Sequence, residues 1–96
     1  MRYLVTWEFN REDMDKLIAK EIKYQELQKQ HPEKYPKNVI PVHMVDAETA
    51  VTVWDVDNPS QIANKLLYMM PEGKAKIVPI FESSEMIKLM MQAKKG

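Results

Sequence analysis

The chain has 96 residues, of which 45% are hydrophobic and 29% charged, and this balance is typical of one globular domain and excludes a disordered chain. Fourteen basic side chains balance fourteen acidic ones, so neither nucleic acid nor a membrane surface is expected as a partner. Cysteine is absent, which excludes disulfides, thiolate metal sites and thiol nucleophiles. We expect a cytoplasmic protein, because the sequence shows neither a signal peptide pattern nor a long apolar run.

The first predicted element is a central β-strand over residues 2–9. This segment is rich in β-formers and too short for a stand-alone helix. Side chains alternate along a strand, which gives one wholly apolar face and one mixed face. The apolar face carries Tyr3, Val5, Trp7 and Phe9, and the mixed face carries Leu4, Thr6 and Glu8. We therefore expect helices on the first face and a partner subunit or solvent on the second.

A long amphipathic helix is predicted to follow and to end near Gln30. Asn10 is a suitable N-cap, and the acidic residues after it suit the positive end of the helix dipole. The helix ends before Pro32, because the residue preceding a proline avoids helical geometry. We expect residues 28–37 to form an exposed connection. The predicted buried stripe consists of Met14, Leu17, Ile18, Ile22, Tyr24 and Leu27.

Two strands, 38–45 and 49–56, are predicted to form a hairpin with its turn at 46–48. Pro41 has no N–H to donate, which places the first of these strands at a sheet edge. A second helix begins where Asn58 precedes Pro59, and Pro71 ends it. Its expected buried face consists of Ile62, Ala63, Leu66, Leu67, Met69 and Met70.

The last strand is predicted over residues 74–81, with Pro79 again favouring an edge. A short C-terminal helix follows and carries Met86, Ile87, Met90 and Met91, whose thioethers and side chains we expect to fill the core. The order β-α-β-β-α-β predicts an α+β, ferredoxin-like domain over residues 1–96. Its antiparallel sheet should have the strand order 4-1-3-2, which puts both prolines on edge strands.

Four short motifs carry a resemblance that spans nearly the whole chain. They are the N-terminal Met1-Arg2-Tyr3-Leu4-Val5-Thr6-Trp7, His43 at the end of the second strand, Asp57-Asn58-Pro59 at the second helix, and Val78-Pro79-Ile80 in the last strand. With these motifs the chain resembles a small-domain branch of the dimeric α/β-barrel superfamily. It departs from that branch in a longer segment between Gln25 and Lys37.

The resemblance implies a homodimer in which the open faces of two sheets close into a barrel with the helices outside. Known functions of the superfamily include cofactor-free monooxygenation, haem degradation, isomerisation, dehydration and ligand sensing in transcription. A shared fold does not choose among these functions. Haem-degrading relatives use tryptophan and histidine side chains, which keeps Trp7, Trp54 and His43 in view, but their motif is absent from this chain.

His43 is the leading catalytic candidate, because an imidazole titrates near neutrality and serves as an acid, a base or a ligand. A hydrogen-bonded structural histidine is the competing interpretation. No metal site is expected, since His31 and His43 are twelve residues apart and no metal-ligand spacing is present.

Four further residues are candidate ligand contacts. Glu8 and Asp55 lie on neighbouring strands, where they would shift each other's pKa if they faced the barrel together. At strand ends they would only be solvated. Trp7 and Trp54 could stack on a planar ligand, although large aromatic residues on central strands more often pack in a core or an interface.

Two functions are compatible with these residues. The first is a homodimer that binds or senses a small hydrophobic or aromatic molecule at the sheet face. The alternative is a cofactor-independent enzyme, similar to a monooxygenase or an isomerase, with His43 as its acid or base. No cofactor is expected, and two glycines are too few for a phosphate-binding loop.

Overall fold

The computed structural model describes residues 1–96 and has α+β architecture, as predicted from the sequence. Four strands alternate with three helices, and short 3-10 turns occupy Arg11–Asp13 and Pro32–Lys34. The elements are β1 (Arg2–Glu8), α1 (Met14–Gln30), β2 (Lys37–Asp46), β3 (Thr49–Asp55), α2 (Pro59–Met69), β4 (Lys74–Ile80) and α3 (Ser83–Lys95). No helix combines the length and the apolar character that crossing a membrane requires.

The four strands form one antiparallel sheet in the order β2-β3-β1-β4. Counted from the β4 edge this order is 4-1-3-2. The edge strands β2 and β4 contain Pro41 and Pro79, where the missing N–H costs no ladder hydrogen bond. β1 and β3 occupy the middle of the sheet without a proline.

The strand alternation predicted for β1 is confirmed. Val5 and Trp7 are buried against the helices, whereas Leu4, which precedes Val5, points to the other face and is 40% exposed. We call the first surface the helix face of the sheet and the second the open face. The buried core on the helix face consists of Val5, Trp7, Leu17, Ala50, Trp54, Val56 and Met69.

α1 buries a narrower stripe than its sequence predicts. Leu17 and Tyr24 are buried, but Ile18 is 50% exposed and Ile22 is 64% exposed. Leu17 and Tyr24 are seven residues apart and so lie on one line of the helix, whereas Ile18 and Ile22 lie roughly 100° to 140° around it from Leu17. The predicted burial of these two isoleucines is therefore wrong.

α2 also turns a different face inward. Its buried residues are Gln61, Lys65 and Met69, at spacings of four, while Leu67 and Met70 are exposed. Gln61 tolerates burial because its amide is satisfied. Its Oε1 accepts the backbone N–H of Asp57 at 2.9 Å, and its Nε2 donates to the carbonyl of Glu33 at 3.1 Å.

The segment between α1 and β2 is exposed over most of its length, as predicted, but its C-terminal end is packed. Pro36 is fully buried, and its carbonyl accepts a hydrogen bond from Gln28 Nε2 at 2.9 Å. The Tyr35 ring meets the Tyr24 ring edge-on, with centroids 5.1 Å apart. The extra residues of this segment thus cover the junction of α1 and α2.

α3 buries none of its residues in the single chain. The prediction that its methionines fill the core is wrong here, because Met90 and Met91 are 58% and 59% exposed. Of the methionines on α2 and α3 and the residue just after α2, only Met69 is buried. α3 therefore presents its apolar side chains outward, and these are Ile87, Leu89, Met90 and Met91.

Candidate functional site

A cavity of about 150 Å³ lies between the helix face of the sheet and the two helices α1 and α2. Ten of its fourteen lining residues are hydrophobic, and the only charged ones are Glu21 and Lys65. An apolar lining with very few polar groups is typical of a ligand site, although this cavity is smaller than the roughly 300–1,000 Å³ of sites for drug-sized ligands. The lining consists of Trp7, Phe9, Met14, Leu17, Ile18, Glu21, Asn38, Val42, Met44, Ala50, Trp54, Lys65, Met69 and Gly73.

The two tryptophans of the chain both line this cavity. Trp7 of β1 and Trp54 of β3 meet edge to face, with ring centroids 6.0 Å apart and an interplanar angle of 63°. Gly73 packs against this pair, and a Cβ there would lie 3.2 Å from Cζ3 of Trp7. A larger residue at position 73 would push the Trp7 ring, so glycine helps to fix the aromatic wall.

The mouth of the cavity lies beside β2. Ile18, Val42 and Met44 line the cavity and yet are 45% to 55% exposed, which places them at its rim. β2 buries none of its ten residues, because α1 and α2 cover the rest of the sheet and leave this edge strand open. Ile18 is thus exposed because it lies at the opening of the cavity.

Lys65 is the most unusual side chain in the wall, because it is only 5% exposed. Its Nζ lies 3.5 Å from Oε2 of Glu21 and 3.1 Å from the centroid of the Tyr24 ring. A carboxylate and an aromatic face both stabilise an ammonium group. The three side chains join α1 to α2, and two of them line the cavity.

Burial lowers the pKa of Lys65 to about 8, and the nearby carboxylate of Glu21 offsets only part of this effect. Burial also raises the pKa of the Tyr24 hydroxyl, with further contributions from Glu21 and then Tyr35. The amine of Lys65 is therefore close to half neutral near pH 8, while Tyr24 stays protonated there.

Lys20, on α1, is a lysine with complete pairing and serves as a comparison for Lys65 on α2. Nζ of Lys20 lies 2.7 Å from Oε2 of Glu72 and 2.9 Å from the carbonyl oxygen of Met70. Both distances are those of charge-assisted hydrogen bonds. The single carboxylate of Lys65 is farther away at 3.5 Å, so the more deeply buried ammonium has the weaker pairing.

Of the residues predicted from sequence, the structure brings Trp7 and Trp54 together but separates Glu8 from Asp55. Both carboxylates belong to the open face, at opposite ends of the β1-β3 ladder. Glu8 is 3.9 Å from Lys76, and Asp55 is 3.7 Å from the N-terminal amine. They are not neighbours, because six ladder positions of about 3.3 Å each separate them.

His43 lies on the open face, on the other side of the sheet from the tryptophans. It pairs with Val51 of β3, and its side chain is exposed. Its Nδ1 is 2.6 Å from the carbonyl oxygen of Pro41. His43 therefore does not contribute to the cavity, and no three His, Asp or Glu side chains converge on a possible metal position.

A wider cleft of about 460 Å³ opens near the hairpin turn and is lined mainly by polar side chains. Two of its carboxylates already have cationic partners, since Arg11 is 3.3 Å from Glu48 and Lys20 is 2.7 Å from Glu72. Its polar lining does not match a hydrophobic ligand. The cavity beside β2 is the better candidate site.

Sequence reasoning missed Lys65 and Glu21. The available signal was the position of Lys65 four residues from Gln61 and from Met69 on one helical line. The predicted buried face of α2 follows its apolar residues instead, and Glu21 lies outside the predicted buried stripe of α1. Only the packing of α1 on α2 turns these two charged residues toward each other.

Comparison with known proteins identifies the family but not an activity. No curated protein matches this chain. The family model described as Domain of unknown function (DUF3303) matches residues 1–94. Since the match covers nearly the whole sequence, the chain is a member of the DUF3303 family.

Proposed function

We propose that this protein is a cytoplasmic homodimer that binds a small hydrophobic or aromatic molecule. The observation that carries the proposal is the apolar cavity walled by Trp7 and Trp54. At about 150 Å³ it is the size of an engineered cavity that accepts benzene, so it suits a ligand with a single ring. The ligand site is thus on the helix face, rather than on the open face where the dimer would close.

Fluorescence tests this binding directly, because the only two tryptophans of the chain line the cavity. Titration with toluene should change their emission in a saturable way. Val42→Phe at the rim should weaken binding by obstructing the mouth. Val39→Phe is the matched control, because Val39 is exposed on the same strand and does not line the cavity. An unsaturable response, or equal effects of the two variants, would refute binding at this site.

The homodimer is proposed from the open face and α3. Leu4, Ile40 and Val78 are 40%, 47% and 53% exposed, and no helix of the chain covers this face. The apolar side chains of α3 are exposed as well. Burying both surfaces against a second copy is how ferredoxin-like chains form a dimeric α/β barrel, which is the fold we propose for the assembly.

Light scattering at micromolar concentration tests the dimer. We expect a mass of twice the 11.3 kDa chain. Leu4→Asp should give single chains, because it places a charge on the open face. Leu67→Asp should leave the dimer intact, since Leu67 is 71% exposed on α2, away from that face. A wild-type mass of one chain would refute the assembly without affecting the cavity.

A further inference from the structure

We propose that Lys65 forms a reversible Schiff base with small hydrophobic aldehydes that enter the cavity beside β2. This inference rests on the proposed binding function and specifies its ligand class. It is carried by the placement of a primary amine and a carboxylate, Lys65 and Glu21, in the wall of an otherwise apolar cavity. A desolvated lysine in a hydrophobic pocket is a recognised form of activated nucleophile.

The pairing of Lys65 leaves its amine available. The carboxylate of Glu21, at 3.5 Å, is beyond the 2.7–2.9 Å of a strong charge-assisted hydrogen bond. The second partner is the face of the Tyr24 ring. A ring face attracts the ammonium electrostatically and does not hold it by a directional hydrogen bond. Lys20, held by two oxygens within 2.9 Å, has no such freedom and no contact with this cavity.

Burial favours the neutral form of Lys65 near pH 8, whereas the carboxylate of Glu21 favours the charged form. Burial lowers its pKa to about 8, and Glu21 opposes that shift only in part. Tyr24 remains protonated because burial raises its pKa, and burial raises the pKa of Tyr68 on α2 as well. An amine with a pKa near 8 has a neutral fraction more than roughly two hundred times that of an amine with a pKa of 10.5 when the solution is at pH 7.5.

The reaction needs no co-reactant. The neutral amine of Lys65 attacks the carbonyl carbon and forms a C–N bond, and the carbonyl electron pair moves to oxygen. The oxygen takes up the first of the two protons that the nitrogen loses. The resulting carbinolamine breaks its C–O bond and releases water, with Glu21 carrying the proton from nitrogen to the leaving hydroxyl. The product is an imine that contains the Lys65 nitrogen, and hydrolysis reverses each step.

An aldehyde fits this wall better than a carboxylate ligand does. Glu21 already presents one negative charge beside the ammonium, and a second carboxylate there would be repelled. The aldehyde carries no charge into the cavity, and its hydrocarbon part matches the ten hydrophobic lining residues. The size of the cavity limits that part to about one ring.

Reductive trapping tests the inference. The intact protein is incubated with benzaldehyde and cyanoborohydride, which delivers hydride to the imine carbon and makes the adduct permanent. Peptide mapping by mass spectrometry then gives the label at each lysine. We expect Lys65 to be labelled at least about tenfold faster than Lys20, with a rate that rises with pH toward an inflection near 8. In urea-unfolded chain this selectivity should disappear.

Rim variants connect the chemistry to the cavity. Val42→Phe should slow labelling of Lys65, Val39→Phe should not, and toluene should compete with benzaldehyde at Lys65 alone. The mapping needs no substitution at Lys65, so it does not depend on whether a Lys65 variant folds.

The outcomes separate the two proposals. Saturable toluene binding with Lys65 labelled no faster than Lys20 would overturn the Schiff base and leave the binding function standing. Absence of both saturable binding and selective labelling would overturn both proposals. Selective labelling at Lys65 that Val42→Phe slows would support both.

Discussion

The two faces of the sheet receive their side chains from the same strands but differ in almost every physical property. On the helix face, Val5, Trp7 and Trp54 are at most 6% exposed, and the two tryptophans line a cavity. On the open face, Leu4 of β1 is 40% exposed, and His43 of β2 is exposed as well. Burial is what allows a fold to change the chemistry of a side chain, and here most of the buried side chains lie on the helix face.

The ion pairs show the consequence of this difference. On the open face, Glu8 and Lys76 are 3.9 Å apart and both are more than half exposed, so solvent screens their interaction and it contributes little to stability. On the helix side, Lys65 is almost fully buried beside Glu21. There, burial lowers the pKa of the Lys65 amine to about 8. The candidate chemistry therefore belongs to the helix side.

The largest effect that separates the two faces should come from truncating β1. Trp7→Ala removes a side chain that is 6% exposed, and we expect the free energy of unfolding to fall by about 3 to 5 kcal/mol. Leu4→Ala, three residues earlier on the opposite face, is the control and should cost about 1 kcal/mol or less in the separated chain. Urea denaturation at low protein concentration measures both. Equal losses would mean that the faces are not distinct.

The contrast between the faces explains how much of the fold could be predicted. The two-residue period of β1 assigns Val5 and Trp7 to one side and Leu4 to the other without tertiary information. Pro41 and Pro79 assign β2 and β4 to the sheet edges, because a proline cannot complete a central ladder. These rules act locally, and the structure agrees with them.

The site could be predicted only in part. Which polar side chains line it depends on the face that each helix turns toward the sheet, and the sequence does not determine that face. The aromatic wall could be predicted, because Trp7 and Trp54 lie on adjacent strands and on the same face of the sheet. Lys65 was not, because apolar residues on α2 suggested a different buried line. α2 instead buries the line of Gln61 and Lys65, whose polar groups find partners on elements distant in sequence. Pairing across such distances has no local signature.

The next effect in size concerns the pH dependence of stability. The pKa of Lys65 is about 8 in the folded protein and 10.5 in an ordinary environment. Between these values the unfolded chain holds a proton that the folded chain has lost, so stability rises with pH by up to about 1.4 kcal/mol per unit. Below pH 8 both states hold the proton, and the stability gained on losing it from the folded protein is absent. Above about pH 10 the raised pKa of Tyr24 acts in the opposite direction, because the unfolded tyrosine ionises first.

Lys65→Met tests this dependence by removing the titrating amine while keeping a long apolar side chain. The rise in stability between about pH 8 and pH 10 should become smaller by about 2 kcal/mol relative to wild type. Lys20→Met, on the well-paired lysine, should leave the rise in place. Urea denaturation across this range measures the effect. A wild-type slope that survives in Lys65→Met would show that Lys65 does not titrate in this window.

The smallest effect is expected at His43, and it tests whether the open face carries the chemistry after all. His43 is exposed, and its Nδ1 contact with the Pro41 carbonyl joins neighbours on the same strand. His43→Ala should therefore change the free energy of unfolding by no more than about 0.5 kcal/mol at low protein concentration. It should also leave toluene binding and Lys65 labelling unchanged, because the sheet separates His43 from the cavity. If His43→Ala abolished either activity, the acid-base role predicted from sequence would be restored and the two faces would have to be coupled. If it only lowered stability as the protein was concentrated into dimers, His43 would be a contact of the closed barrel.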